Sequence, residues 1–285
     1  MLKICIIIIA ILIILIVLVI VESLRELRCV KITTYDIEDD KISEDKTVVF
    51  LSDYHEAKSI NEKIVSAVDK VSPDVILVGG DMINGFEHEG LVESSGALLN
   101  KLVEKYPVYY AYGNHEAKLI DIAPAVWNKY QESLSSDIKY LLNDSVSLGG
   151  NIRVYGLNTP REYYKRGFGF PKLTKDEIEE LLGEESKKEF SILLGHAPDF
   201  IEGYTSWGAD LSLSGHFHGG MVRLPFLGGV VSPRLLLLPR YDYGIYEENS
   251  KKEIVTNGLG QHSIKLRINN IPEIVQVNLK KPKGV

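Results

Sequence analysis

Seven histidines are distributed along this chain of 285 residues, and five of them stand directly after short apolar runs. His55 follows Phe50-Leu51-Ser52-Asp53-Tyr54, His115 follows Tyr112-Gly113-Asn114, and His196 follows Ile192-Leu193-Leu194-Gly195. His216 and His218 follow Leu211-Ser212-Leu213-Ser214-Gly215. Asp53 and Asn114 share two of these positions, and Asp81 ends a similar run through Gly79-Gly80. Each pattern alone has an ordinary explanation, because Asp, Asn and Gly favour the turns that follow strands. Together they point to chemistry, since unrelated turn residues would scatter over helices and loops. Imidazole, carboxylate and amide oxygen without thiolate form a donor set for Mn, Zn or Fe rather than for a structural cysteine-zinc site. Six or seven donors exceed one tetrahedral centre. Two divalent or trivalent cations are therefore expected, with Asp81 able to offer one oxygen to each.

Such donors meet only if the runs before them are neighbouring strands. In an α/β sheet the carboxyl ends of adjacent strands open on one crevice, where ligands bind. Residues 47–51, 74–78 and 108–112 read as strands, with helical stretches near 60–71, near 91–104 and after His115. Continuous apolar strands alternating with helices suggest βαβ units covered on both faces. Further strands are expected over 153–157, 190–194 and 211–213, with 30–37 a candidate first strand. Residues 263–268 and 273–279 are expected to form a closing hairpin or edge strands.

Composition sets the surroundings. The chain holds 32 Lys and Arg against 39 Asp and Glu, a formal charge of −7. That balance argues against a nucleic-acid coat, and no stable nucleic-acid complex is expected. Residues 4–21 are unbroken apolar sequence, which as a helix spans roughly 27 Å, close to the hydrocarbon thickness of a bilayer. The run ends Val19-Ile20-Val21-Glu22, without the small residues that precede a signal-peptide cleavage. The expectation is a single-pass cell-membrane anchor over 1–21, a juxtamembrane linker over 22–28 and one soluble domain over 29–285. Lys3 on one side and Arg25, Arg28 and Lys31 on the other mildly favour a cytoplasmic domain. Cys5 and Cys29 are too few for a disulfide framework.

Five segments, Ser52-Asp53-Tyr54-His55, Gly80-Asp81, Gly113-Asn114-His115-Glu116, Gly195-His196 and Gly215-His216-Phe217-His218-Gly219-Gly220, resemble in order and spacing the motifs of calcineurin-like metallophosphoesterases. The resemblance covers nearly the whole soluble part. The apolar start, Gly258-Leu259-Gly260 and Pro272-Glu273 look like the membrane-anchored bacterial branch of that family. It implies an α/β fold (α+β by some schemes), a four-layer α/β/β/α sandwich preceded by one transmembrane helix, with a dinuclear site between the sheet ends. One metal would take Asp53, His55, Asp81 and His218, and the other Asp81, Asn114, His196 and His216. His115 would be the unliganded general acid, opposite a hydroxide bridging the metals. The implied activity is hydrolysis of a phosphodiester, phosphomonoester or pyrophosphate, lipid-linked or envelope-linked substrates included. The rival reading is a metal-binding scaffold without catalysis, against which the intact His115 and ligand set argue. Tyr54, Asn84, Glu116, Phe217 and Met221 depart from the family's usual residues and bear on substrate preference. Arg161, Arg223, Arg234 and the pair Tyr163-Tyr164 are candidate substrate contacts, whereas His88 reads as a surface residue.

Overall fold

A computed structural model of the chain describes residues 2–85, 92–165, 171–232, 236–261 and 265–282. His88, Arg234, His262 and the start of the strand expected at 263 lie outside the described residues. The chain begins with helix α1 (Leu2–Glu26). Strands β1 (Lys31–Glu38), β2 (Lys46–Leu51), β3 (Val75–Val78), β4 (Val108–Tyr110) and β5 (Lys139–Tyr140) build most of a first sheet. Between them run α2 (Asn61–Val71), α3 (Glu93–Val103), α4 (Asn114–Ile122) and α5 (Pro124–Ser133). A second sheet uses β6 (Asp144–Gly149), β7 (Ile152–Gly156), β8 (Phe190–His196) and β9 (Leu211–Ser214), with α6 (Lys175–Leu182) and α7 (Ile201–Trp207) between the last three. A small hairpin, β10 (Arg223–Leu224) and β11 (Gly228–Gly229), precedes β12 (Gly244–Glu248) and β13 (Lys251–Val255), which complete the second sheet. Strand β14 (Glu273–Lys280) returns to the first.

The strand orders are β1-β14-β2-β3-β4-β5 and β12-β13-β9-β8-β7-β6. Both sheets are mixed, with parallel centres built from β2 to β5 and from β7, β8, β9 and β13. The run Val48-Val49-Phe50-Leu51 shows why such strands read as continuous apolar text. Val48 and Phe50 enter the core between the sheets with Leu77, Val154, Ile192 and Leu213, whereas Val49 and Leu51 point outward to the helices. Successive side chains alternate faces and both faces are covered. Helices α2, α3 and α5 cover the first sheet, and α6 and α7 cover the second, which makes an α/β sandwich of four layers.

The tail differs from the expected hairpin. Strand β14 lies inside the first sheet, parallel to β1 and antiparallel to β2. Its Ile274, Val275, Val277 and Leu279 are buried, so it serves both faces like a central strand. Among the described residues, 265–268 add no strand beyond an isolated bridge at Ile268, and Arg267 in this segment is fully buried.

Helix α1 is long and apolar enough to cross a membrane, and its apolar residues are exposed. It continues past Val21 to Glu26 without a break, and its last turn packs on the domain through buried Ser23 and Glu26.

Glu253 on β13 is enclosed, with one carboxyl oxygen accepting from Ser214 Oγ. Burial pushes its carboxyl well above the usual range. The folded protein thus keeps the Glu253 proton to higher pH than the unfolded chain, which releases it at about pH 4.3. Stability is then lost as pH rises, because folding must take up a proton. Glu253→Gln should raise the thermal midpoint more at pH 8 than at pH 5. An equal shift at both pH values contradicts the upward displacement of this carboxyl.

Candidate metal centre

All five sequence motifs sit where strands of the two sheets end on the same side. Asp53 and His55 follow β2, Asp81 follows β3, Asn114 and His115 open α4 after β4, His196 ends β8, and His216 and His218 follow β9. The first sheet thus supplies five of the residues and the second supplies three. The structure brings all eight together. Every one except half-buried Asn114 is buried, with at most 6% of its surface exposed.

The donors form overlapping groups, Asp53–His55–His218, His55–Asp81–His115 and Asp81–His196–His216, whose ligand atoms lie within 4.8 Å of one another. Asp81 Oδ2 is central, 3.3 Å from His196 Nε2, 3.8 Å from His55 Nε2 and 4.0 Å from His115 Nε2. Asp53 Oδ1 lies 3.7 Å from His218 Nε2. Asn114 Oδ1 lies 3.1 Å from His196 Nε2.

Hydrogen bonding at the far side of three rings tests whether these residues fit cations. His55 Nδ1 faces Ile83 O at 3.2 Å, His196 Nδ1 faces Gly79 O at 2.7 Å, and His218 Nδ1 faces Gly260 O at 3.2 Å. A carbonyl only accepts, so each Nδ1 carries a proton, and Nε2 is the nitrogen that each ring turns inward and can offer to a cation. Metal-binding imidazoles are commonly oriented this way. His55 Nε2 and His218 Nε2 approach to 3.2 Å, close enough for one cation to engage both. The donor set fits two cations sharing Asp81.

Local backbone geometry serves the same end. Asp53, His55, Asp81, His196, His216 and His218 all have φ between 45° and 61°, the left-handed region that side chains seldom adopt. Two glycines admit the carboxylates. A Cβ on Gly215 would land on Asp53 Oδ2, and one on Gly113 would land on Asp81 Oδ1.

The buried charges of the cluster act on one another. Burial pushes Asp53 up to about 7, with His196 opposing the rise and Asp81 adding to it. Burial works against Asp81 too, yet His196 and His115 hold it well below the usual carboxylate range. Burial pulls His196 down, but Asp81 and then Asp53 outweigh it and raise the imidazole to about 9.

Glu116 departs from the family pattern in sequence, yet it is fully buried and holds the site's backbone. Its Oε2 accepts from the amides of Gly113 and Asp81, and its Oε1 from the amide of Met82 and the Tyr110 hydroxyl. It ties the turn carrying Asp81 to the start of α4. A Glu at the third residue of a helix is the sequence signal for that reach back to the cap. Tyr54 and Phe217 are buried, and the Tyr54 hydroxyl is turned to Asn61 and Ser94. Asn84 Nδ2 bonds to His55 O.

Among the candidate substrate contacts, Tyr164 borders the centre, with ring centroids 5.5 Å from His216 and 5.9 Å from His196. Arg161 pairs with Asp121 at 2.9 Å beside it. Arg223 is engaged with Asp242 and Gly219 O, and Tyr163 with Glu177.

The family model for calcineurin-like phosphoesterases matches residues 46–220. An uncharacterized metallophosphoesterase of Campylobacter jejuni is 29% identical over 267 residues, covering 90% of this chain and 65% of its own length. The chain therefore spans just under two thirds of that relative. The uncharacterized metallophosphoesterase YkuE of Bacillus subtilis is 29% identical over 235 residues, covering 81% and 76%. The phosphodiesterase YaeI of Escherichia coli is 25% identical over 237 residues, covering 81% of each.

Cation uptake must displace the protons that Asp53 holds up to about pH 7 and His196 up to about pH 9. Mn(II) titrated into metal-stripped protein should bind more tightly at pH 8 than at pH 6. Proton release should appear as a dependence of the binding heat on buffer ionisation enthalpy. Affinity that does not change with pH contradicts this arrangement.

Proposed function

We propose a reaction and a substrate class from one premise: the chain belongs to the calcineurin-like phosphoesterase family and is a metal-dependent hydrolase of phosphoesters. The observation that carries the proposal is the meeting of seven oxygen and nitrogen donors with His115 at the shared end of two sheets. Asp53, His55, Asp81 and His218 hold one cation; Asp81, Asn114, His196 and His216 hold the other. When bound, the pair supplies Lewis acidity toward the phosphoryl oxygens and an activated water.

The chain's own residues do the rest. His115, in the first turn of α4, stands edge-on to His55 with ring centroids 4.8 Å apart, and its Nε2 lies 4.0 Å from Asp81 Oδ2. It serves as general acid, giving its Nε2 proton to the leaving oxygen as the ester bond breaks. Asp53 and Asp81 neutralise only part of the charge of two cations, so the centre attracts a phosphate ester although the whole chain carries −7.

A cavity of about 510 Å³ opens beside Asn114. Lys118, Arg161, Tyr164 and Lys165 line it with Asp121 and Glu162. Lys118 lies one helical turn beyond Asn114, on the same face of α4. The cavity gives room for a second group on phosphorus, which favours a phosphodiester over a simple monoester. Helix α1, through residues 4–21, tethers the domain to the cell membrane as a single-pass anchor and brings lipid-linked or envelope-linked esters within reach.

His115→Ala should lower kcat on bis(p-nitrophenyl) phosphate by about 10²–10⁴-fold while both cations stay bound, as measured by elemental analysis. Matching loss of metal contradicts the role of general acid. The full-length chain should remain with the membrane fraction through an alkaline carbonate wash. Recovery of a shortened, soluble product contradicts the anchor.

A further inference from the structure

Helix α1 reaches the metal centre through two short hydrogen-bonded routes. Ser23 and Glu26 are three residues apart, so they share one helix face, and they are only 3% and 2% exposed. Glu26 Oε2 accepts from the amide of Asn270 at 2.9 Å. The Asn270 side chain donates to His218 O at 2.7 Å and to Met221 O at 3.0 Å, and its Oδ1 accepts from Asn257 Nδ2 at 2.8 Å. It thereby brackets a turn in which His218, Gly219 and Met221 all have positive φ.

The second route reaches the ring of the same histidine. Ser23 Oγ accepts from the amide of Arg267 at 3.0 Å. Arg267 is fully buried, and its guanidinium donates to the carbonyls of Asn257, Gly258, Gly260 and Asn270. Gly260 O is also the acceptor facing His218 Nδ1. One route therefore holds the backbone of His218 and the other holds the carbonyl that orients its imidazole. The His196 ring takes its orientation from Gly79 O, in the turn after β3.

We infer that the last turn of α1 is a working part of one half of the metal centre, with Glu26 and Ser23 acting as positioning residues for His218 through Asn270 and Arg267. The inference rests on His218 being a metal ligand. It makes cation affinity at the Asp53–His55–His218 position depend on the seating of the helix more than affinity at the position that includes His196, whose ring is held by Gly79 O. Partners that orient a ligating histidine commonly change metal affinity 10–100-fold when removed.

The test is titration of metal-stripped, full-length protein in detergent with Mn(II), followed by calorimetry. Glu26→Ala should weaken one of the two binding steps by about tenfold or more and affect the other much less. Glu26→Gln, which keeps an acceptor oxygen for the Asn270 amide, should restore most of that loss. Ser23→Ala should weaken the same step, which keeps the inference testable if Glu26→Ala does not fold. Unchanged binding in both alanine variants overturns the inference, as does equal weakening of both steps. Wild-type protein that takes up fewer than two cations overturns the metal assignment itself, a failure seen before any variant is compared.

Discussion

Two carboxylates buried side by side, Asp53 and Asp81, impose the constraint on which the rest of the structure depends. An ion removed from water costs several kcal/mol even after the protein relaxes, and two like charges raise that cost. Asp53 answers by keeping a proton to about pH 7, and Asp81 by its contact with His196. Neither solution leaves the site fully compensated without further positive charge. Three of the imidazoles around the carboxylates have Nδ1 committed to a carbonyl, so each turns Nε2 inward. The cluster is built to be completed by cations, and its protons stand in their place.

That requirement explains an arrangement of backbone that would otherwise be unfavourable. Six residues of the cluster adopt left-handed conformations, each costing roughly 1–3 kcal/mol. The left-handed turn lets a side chain at a strand exit point back across the sheet end. Gly113 and Gly215 then permit the carboxylates to approach the opposite turns. The apolar core between the sheets holds both sets of turns together, and Glu116 fastens one of them by four hydrogen bonds. Stability generated in the sandwich thus offsets strain concentrated at its end.

The central strands and the site residues were legible for a shared reason. A strand buried on both faces is continuously apolar, as in residues 47–51, and the polar residue that ends it is conspicuous. Asp53, Asp81, Asn114 and the histidines stood out in this way. Strand β14 was misjudged because Ile274, Val275, Val277 and Leu279 give the same pattern at an edge or in the interior. Its place depends on pairing with β1 and β2, more than 200 residues away. The contacts of Arg267 and Asn270 with α1 had no sequence signal either. A hydrogen bond between Glu26 and Asn270 spans 244 positions and leaves no periodicity in either segment.

By itself, the sequence determined the chemistry available and the order of the elements carrying it. Donor types, strand exits and the apolar first helix are local properties, set by side-chain periodicity and turn preference. Only the tertiary structure decided which nitrogen of each histidine faces inward, that Asp81 is the centre of the cluster, and that α1 is joined to the turn holding His218. Those facts depend on distances between segments remote in the chain. Folding sets such distances by packing two sheets into one core, and no local pattern encodes them.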